Sequence, residues 1–288
     1  MPTHFSDIGF EAQSMDTYKE LVLTAKRSGR SIRSPRGVYV RWAPGNGVEL
    51  WVHLTPKRGS PDQLEIAGAE PHFVGPSRVK FGLIRTVPKD ECELEGSFYG
   101  YVSPRSIDPQ SGWYPLLIDI SDFDSVRDRI RAPSILQLQV AAFPNQVDIF
   151  ADDTSYYSPQ PKGAYPRELA KESTRAMDLE QMAEKVDSAR LATESFIPSG
   201  LFEPGGRPKN PLKAEGIMTG HIEECSTLTN PFSGRPFYRT RVRTYAATFD
   251  VVCDPARLRT VPAPRNVLSG VFWFTGQLVG PLAETGNH

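Results

Sequence analysis

Residues 38–54 read VYVRWAPGNGVELWVHL. Val38, Val40 and Trp42 alternate with Tyr39 and Arg41, the run from Val48 to Leu54 alternates again, and Pro44-Gly45-Asn46-Gly47 lies between them. A period of two marks strands with one face toward a core, and a Gly/Asn turn between two such runs makes a β-hairpin. Working toward the N-terminus, Tyr18, Leu21, Val22 and Ala25 stand at i, i+3, i+4 and i+7, one face of a helix that Ser14 or Asp16 can cap and Gly29 can end. His4 to Phe10 is predicted as a short strand before it. Toward the C-terminus, residues 64–74, 79–87 and 94–102 read as further strands, with Gly82, Gly96 and Gly100 marking bulges or close backbone contacts. Tyr114 to Ile120 is an apolar strand. A short helix over Phe123 to Arg131 follows, capped by Ser121 or Asp122. Ile135–Phe143 and Val147–Phe150 are expected to pair across Pro144-Asn145.

The composition changes after residue 151. Residues 152–166 are rich in Tyr, Ser, Pro and Gly, as in a linker, and a helix is predicted from about Arg167 to Ser195 with Leu179, Met182, Ala183 and Val186 at core spacing. A second linker runs from Pro198 to Pro211. Residues 217–279 read as all-β: strands at 217–224, 237–249 and 249–253, then VLSGVFWFTGQLVG at 267–280. The expected fold is α+β. An antiparallel sheet domain with short helices covers 1–151 and holds two degenerate repeats. A linker and connector helix cover 152–211, and a small β-barrel covers 212–288.

The chain has 288 residues, with 26 Pro and 23 Gly, more than average usage but too few for a disordered chain. Lys plus Arg is 33 against 34 Asp plus Glu, so no overall positive excess points to a nucleic-acid or membrane coat. Cys92, Cys225 and Cys253 are far apart and form no CxxC, which fits a reducing compartment. No basic segment followed by an apolar one opens the chain. The 18 uncharged residues from Asn266 to Ala283 are diluted by Ser, Thr, Gly and Pro, as in a bent strand. The expected compartment is the cytoplasm, with no membrane partner. No GxSxG, HExxH, Walker A or GxGxxG motif occurs, and no catalytic residue is assigned.

HFSDIGF, the helix, GVYVRWA and GVELWVHL together resemble the βαβββ module of the glyoxalase, or vicinal-oxygen-chelate, superfamily. The resemblance covers about 70 residues, with a degraded second copy at 95–150. It implies paired modules around a cleft with a divalent metal held by His, Glu or Gln from the outer strands. The matching positions here are His4, His72, Asp119 and Asp148, where Asp148 departs from the family's Glu. Residues 215–282 resemble a five-stranded barrel of OB type.

Three further groups stand out. Glu49, Trp51 and His53 share one strand face and could wall a ligand cleft, or form the solvated face of a sheet. Arg239, Arg241 and Arg243 alternate, with Tyr245 next in line, as suits phosphate contact beside base stacking. The same row can instead pair with Glu223 and Glu224 on an exposed face. In VFWF at 271–274 both strand faces are apolar, so one must be covered by the N-terminal domain or by another subunit, which marks Phe272 and Phe274 as interface candidates. The function expected is a non-catalytic binding or assembly protein presenting β surfaces to a macromolecular partner, a protein, with homo-oligomers in view. The alternatives are a glyoxalase-like enzyme or ligand-binding protein with a divalent metal, and single-stranded nucleic-acid binding through the C-terminal barrel.

Overall fold

The computed structural model describes residues 4–158, 192–199 and 213–281. Helix α1 (Met15–Ser28) follows the predicted spacing and is capped as expected. Ser14 Oγ accepts from Thr17 N at 3.1 Å, Ser14 N donates to Thr17 Oγ1 at 3.0 Å, and Gly29 stands at the C-cap. Strands β1 (Arg30–Ser34), β2 (Gly37–Gly45), β3 (Val48–Lys57) and β4 (Ser60–Phe73) form an antiparallel sheet in that order. The β2–β3 hairpin is the one read from the sequence. Before α1, the strand expected at His4–Phe10 is a 3-10 turn over Ser6–Ile8 instead. Gly9 ends it at φ +77°, tight enough that a Cβ there would lie 2.8 Å from that of Asn230.

The remaining strands are β5 (Val79–Pro88), β6 (Gly96–Val102), β7 (Tyr114–Ile120), β8 (Ser134–Phe150), β9 (Ser195–Pro198), β10 (Glu215–Thr229), β11 (Pro236–Arg243), β12 (Thr248–Cys253) and β13 (Val267–Pro281). Helices α2 (Phe123–Val126) and α3 (Asp153–Tyr157) are single turns. All nine strands join one sheet, β11-β12-β8-β5-β6-β7-β13-β10-β9, with β10 also paired to β11 and β8 to β13. Two circuits of pairing therefore share the β8–β13 pair. One runs through β5, β6 and β7, the other through β10, β11 and β12. The chain is thus sheet-rich with few helices. Among the described residues no helix is long and apolar enough to cross a membrane.

Several boundaries differ from the sequence reading. Ile135–Phe143 and Val147–Phe150 do not form a hairpin: β8 runs straight through Pro144-Asn145, with Pro144 opposite Phe272 and Asn145 the extra residue of a bulge before Gln146 opposite Val271. The expected separation of 1–151 from 212–288 does not describe the pairing, because β13 is laddered along β8. The strand expected over 237–249 breaks after Arg243, where Thr244 N donates to Ala247 O at 3.0 Å. The helix over 123–131 stops at Val126. The predicted connector helix falls almost wholly outside the described residues, and Ser195 begins β9. In the supposed second repeat, β7 and β8 are not neighbours; β8 pairs with β5 and β13.

Among the described residues there are two large hydrophobic cores and a smaller cluster of Tyr39, Trp51, Cys92 and Leu94. One face of the four-stranded sheet (Val40, Trp42, Leu50, Val52) packs on Leu21, Val22 and Ala25 of α1 and reaches Phe143 and Phe237. The nine-stranded sheet folds its other core around Phe98, Ile118, Leu138, Phe249, Phe272 and Phe274. Phe272 and Phe274 are fully buried inside this chain, so of the two expected covers, the N-terminal part of the chain or another subunit, the second is corrected. The opposite face of the same strand is covered too, by Phe143 and His4 on Trp273. Truncating Phe274 to Ala is therefore expected to lower unfolding stability by about 3–5 kcal/mol, read as a fall in urea midpoint. An unchanged midpoint would contradict the placement.

Candidate functional site

The face of the four-stranded sheet turned away from α1 is polar and buried. Register sets Arg41 beside Trp51, Tyr39 beside His53, Glu49 beside His72 and Trp51 beside Glu70, so these side chains share one face. Across from them the nine-stranded sheet offers Ser97, Asp119, Gln139, Thr275 and Gln277, which register likewise places on one face. Glu49, 2% exposed, accepts from Arg41 Nε, Trp51 Nε1 and Gln277 Nε2, each at 2.8 Å. Burial works to raise its pKa, but the Arg41 hydrogen bond and the nearby charges and donors hold it below the usual carboxylate value.

His72 has both ring nitrogens engaged, Nδ1 with Thr275 Oγ1 at 2.8 Å and Nε2 with Gln139 Oε1 at 2.7 Å. Gln139 Nε2 donates to the Phe73 carbonyl at 3.0 Å, so Oε1 is left as the acceptor and His72 Nε2 carries the proton. Burial lowers the His72 pKa and keeps the ring neutral. Asp119 accepts from Ser97 Oγ at 2.5 Å, Trp273 Nε1 at 2.8 Å and Lys89 Nζ at 3.2 Å. His4 pairs with Asp7 at 3.2 Å and stacks on Trp273. Asp148 lies on β8 opposite Ser269, its pKa raised by burial. His72 and Asp119 both face the polar layer, with His4 beside Asp119 through Trp273, but among the described residues His4, His72, Asp119 and Asp148 do not gather as a ligand set.

The ligand-cleft candidates Glu49, Trp51 and His53 do share a wall, and it is closed over by the second sheet. His53, 1% exposed, meets the β5–β6 loop, where its Nδ1 lies 3.0 Å from Glu95 Oε1 and Cys92 is close by. Burial opposes a proton on His53, but Cys92, Glu95 and Glu70 outweigh it and carry the pKa up to about 9. Glu95 is half-buried, which works to raise its pKa, yet His53 and Lys89 hold it down to about 2. Burial pushes Glu70 up to about 7 against the pull of His53 and Lys89. Cys92, Glu95, Glu70 and Lys89 were missed from sequence. Extending the hairpin alternation into β4 would have found Glu70; a loop contact across some forty residues leaves no periodic signal.

The arginine row is neutralised. Arg239 binds Asp250 through Nε and Nη2 at 2.9 and 2.8 Å and Glu224 at 3.0 Å. Arg241 binds Glu224 at 2.9 Å, and Arg243 binds Glu194 at 2.8 Å. Tyr245, beyond the row, is 66% exposed and faces a hollow of about 280 Å³ with Ser103, Arg105, Trp113 and Tyr114. The Arg105 guanidinium lies 4.3 Å from the centroid of Trp113, itself 64% exposed. A second hollow of about 380 Å³ is bounded by Ser77, Arg78, Lys80, Ser103 and Arg241. Ser103 borders both. No carboxylate lines either hollow, and Arg78, Lys80 and Arg105 have no ion-pair partner among the described residues.

Comparison with protein-family models, curated proteins and solved structures finds no match.

Asp122 sits beside the polar layer with Oδ1 buried and unpaired. Burial, with the charge of Glu49 adding to it against Arg129 and Arg41, pushes its pKa from 3.8 to about 6. Between those values the folded chain binds the extra proton, so stability falls as pH rises through this window and then levels off. Asp122→Asn is expected to stabilise the chain by about 1–3 kcal/mol near pH 8, a gain that vanishes below about pH 4. Urea titrations at the two pH values test this; an equal effect at both would refute it.

Proposed function

We propose that the chain is a non-catalytic binding protein that presents a β-built surface to an anionic macromolecular partner. The observation that carries this reading is the pair of adjoining hollows that share Ser103, with Arg78, Lys80, Arg105 and Arg241 at their walls, Trp113 and Tyr245 exposed and no carboxylate lining them. Arg78, Lys80 and Arg105, with no carboxylate partner among the described residues, attract an anion over a distance, Arg241 being already paired with Glu224, and exposed rings give it something flat to stack on. Arg105 over Trp113 extends that flat surface. These rings favour a single-stranded nucleic acid over an acidic peptide, since every base has a face to stack and a carboxylate has none. The cationic groove replaces the Arg239–Arg243 row as the contact surface, with Arg241 and Tyr245 common to both.

The finer architecture belongs to the same reading. The circuit β8–β13–β10–β11–β12 acts as a small barrel of OB type whose 244–247 turn carries Tyr245 to the groove. Support for the barrel is the continuous set of pairings, with β12 joined to β8 through Asp250 and Val251. The compartment we assign is the cytoplasm, supported by Cys92, Cys225 and Cys253 all being free.

Titrating the chain with an oligo-dT strand and, separately, a Glu-rich peptide, followed by tryptophan fluorescence across a salt series, tests the proposal. Binding of the strand is expected, weakening as salt rises. Lys80→Ala and Arg105→Ala should each reduce the slope of log K on log salt by up to about 0.7. Trp113→Ala should lower affinity by about 1–3 kcal/mol at any salt. Binding of the peptide alone would move the partner to an acidic protein. Failure of both probes at low salt would overturn the function.

A further inference from the structure

The loop between β5 and β6 presses Cys92 and Glu95 against His53 of β3. One imidazole nitrogen, the thiol sulfur and one carboxylate oxygen lie within 4.8 Å of one another, and no other trio of such side chains does so among the described residues. A tetrahedral ion with bonds of about 2.0–2.3 Å to N, O and S holds its ligands roughly 3.3–3.6 Å apart, so small side-chain rotations close the difference. The ring has coordinating capacity to spare: Nδ1 faces Glu95, while Nε2 is buried with no partner. A ring flip exchanges the two nitrogens without moving the backbone. A buried imidazole nitrogen left unsatisfied costs free energy in the absence of something to bind it.

The surroundings hold the trio in place. Lys89 N donates to Glu95 O at 3.0 Å and Glu95 N to Cys92 O at 2.9 Å, which folds the loop tightly between its two ligand positions. Lys89 Nζ lies 3.4 Å from Glu95 Oε2 and 3.2 Å from Asp119, so the carboxylate is oriented by its second oxygen. On β4, Gly68 leaves the space above the pair clear: a Cβ there would stand 3.0 Å from Glu95 Oε1 and 3.7 Å from His53 Nδ1. Glu95 has a side chain 25% exposed, which gives an ion a way in from solvent.

We infer that His53, Cys92 and Glu95 form a binding site for a single divalent transition metal of the zinc class. Thiolate and imidazole select zinc-like ions over magnesium and calcium, which take oxygen ligands. The thiolate and carboxylate together cancel the charge of the ion, so the filled site is neutral where it is least hydrated. Binding releases the thiol proton, with any proton on the imidazole, to solvent. The ion ties the 89–95 loop to the first sheet. The site is separate from the cationic groove and stands whether or not the groove binds a strand.

The full chain, stripped with a chelator, is titrated with Co2+ alone and then challenged with Zn2+. The expected result is about one Co2+ per chain with sulfur-to-cobalt charge-transfer absorption, bleached by Zn2+ and unaffected by Mg2+. Cys92→Ser should abolish the band, and Cys225→Ser, which removes a thiol outside the trio, should keep it. Glu95→Gln leaves the thiol in place and should weaken Zn2+ by about tenfold or more, which decides the matter where Cys92→Ser fails to fold by circular dichroism. A wild-type chain with no thiolate band and no Zn2+-dependent rise in unfolding temperature overturns the site. So does a folded Cys92→Ser or Glu95→Gln chain that binds as wild type does.

Discussion

A carboxylate that is 2% exposed holds the two sheets of this protein in register. Glu49 sits on the central strand of the first sheet, and its donors come from β2, from its own strand and from Gln277 on the second sheet. An ionised group taken out of water costs several kcal/mol unless its lone pairs are met, and removing one member of such a set strands the rest. The sheets therefore cannot slide by even one residue. A one-residue slip of β13 in its ladder with β8 would turn Gln277 away from Glu49 and Thr275 away from His72. Apolar sheet faces tolerate some sliding; this one cannot, because Glu49 and His72 each hold assigned partners on the second sheet.

The same arithmetic separates the two arginine populations. Arg239 is tied to Asp250, which is fully buried and also accepts from Ser77 N, so its charge is spent on the fold. Arg78 instead gives Nη1 to the carbonyls of Gly75 and Ser77, which orient the guanidinium without cancelling its charge. Structural arginines carry a carboxylate partner, as Arg241 does at the groove wall; Arg78 and Arg105 keep their charge for something outside the chain. The even distribution of charge along the sequence conceals this division, which arises only when β10 supplies Glu223 and Glu224 to one side of β11.

What the sequence revealed was local. The hairpin, α1 with its Ser14 cap and most strands were legible because a period of two or 3.6 needs only a few neighbours to show itself. The long-range pairing was not. Pro144-Asn145 reads as a turn, yet β13 absorbs it as a bulge, and nothing near residue 144 announces a partner strand at residue 271. Phe272 and Phe274 were rightly seen as one apolar face of a two-faced strand. Their cover was left open between the N-terminal part of the chain and another subunit, because the sheet that encloses them is assembled from both ends of the chain. Glu49 and His53 were placed on one face correctly, but the opposing Asp119, Gln139, Thr275 and Gln277 come from three separated strands. The Cys92–Glu95 loop, with no periodicity at all, was invisible.

One hairpin connects the polar layer to the groove. β5 and β6 are laddered from Pro88 with Gly96 at the loop end to Phe81 with Val102 at the other. Glu95 precedes β6 directly, and Lys80 and Ser103 stand at the far end, on the groove wall. At about 3.3 Å per residue the seven residues of β6 span roughly 20 Å, a laddered pair stiff enough to transmit position along its length. Whatever fixes the loop against His53 therefore fixes where Lys80 and Ser103 stand relative to Arg241 and Tyr245, which arrive from the opposite end of the chain. The groove's walls belong to different strand circuits, and their spacing depends on the polar layer that locks the first sheet onto the second.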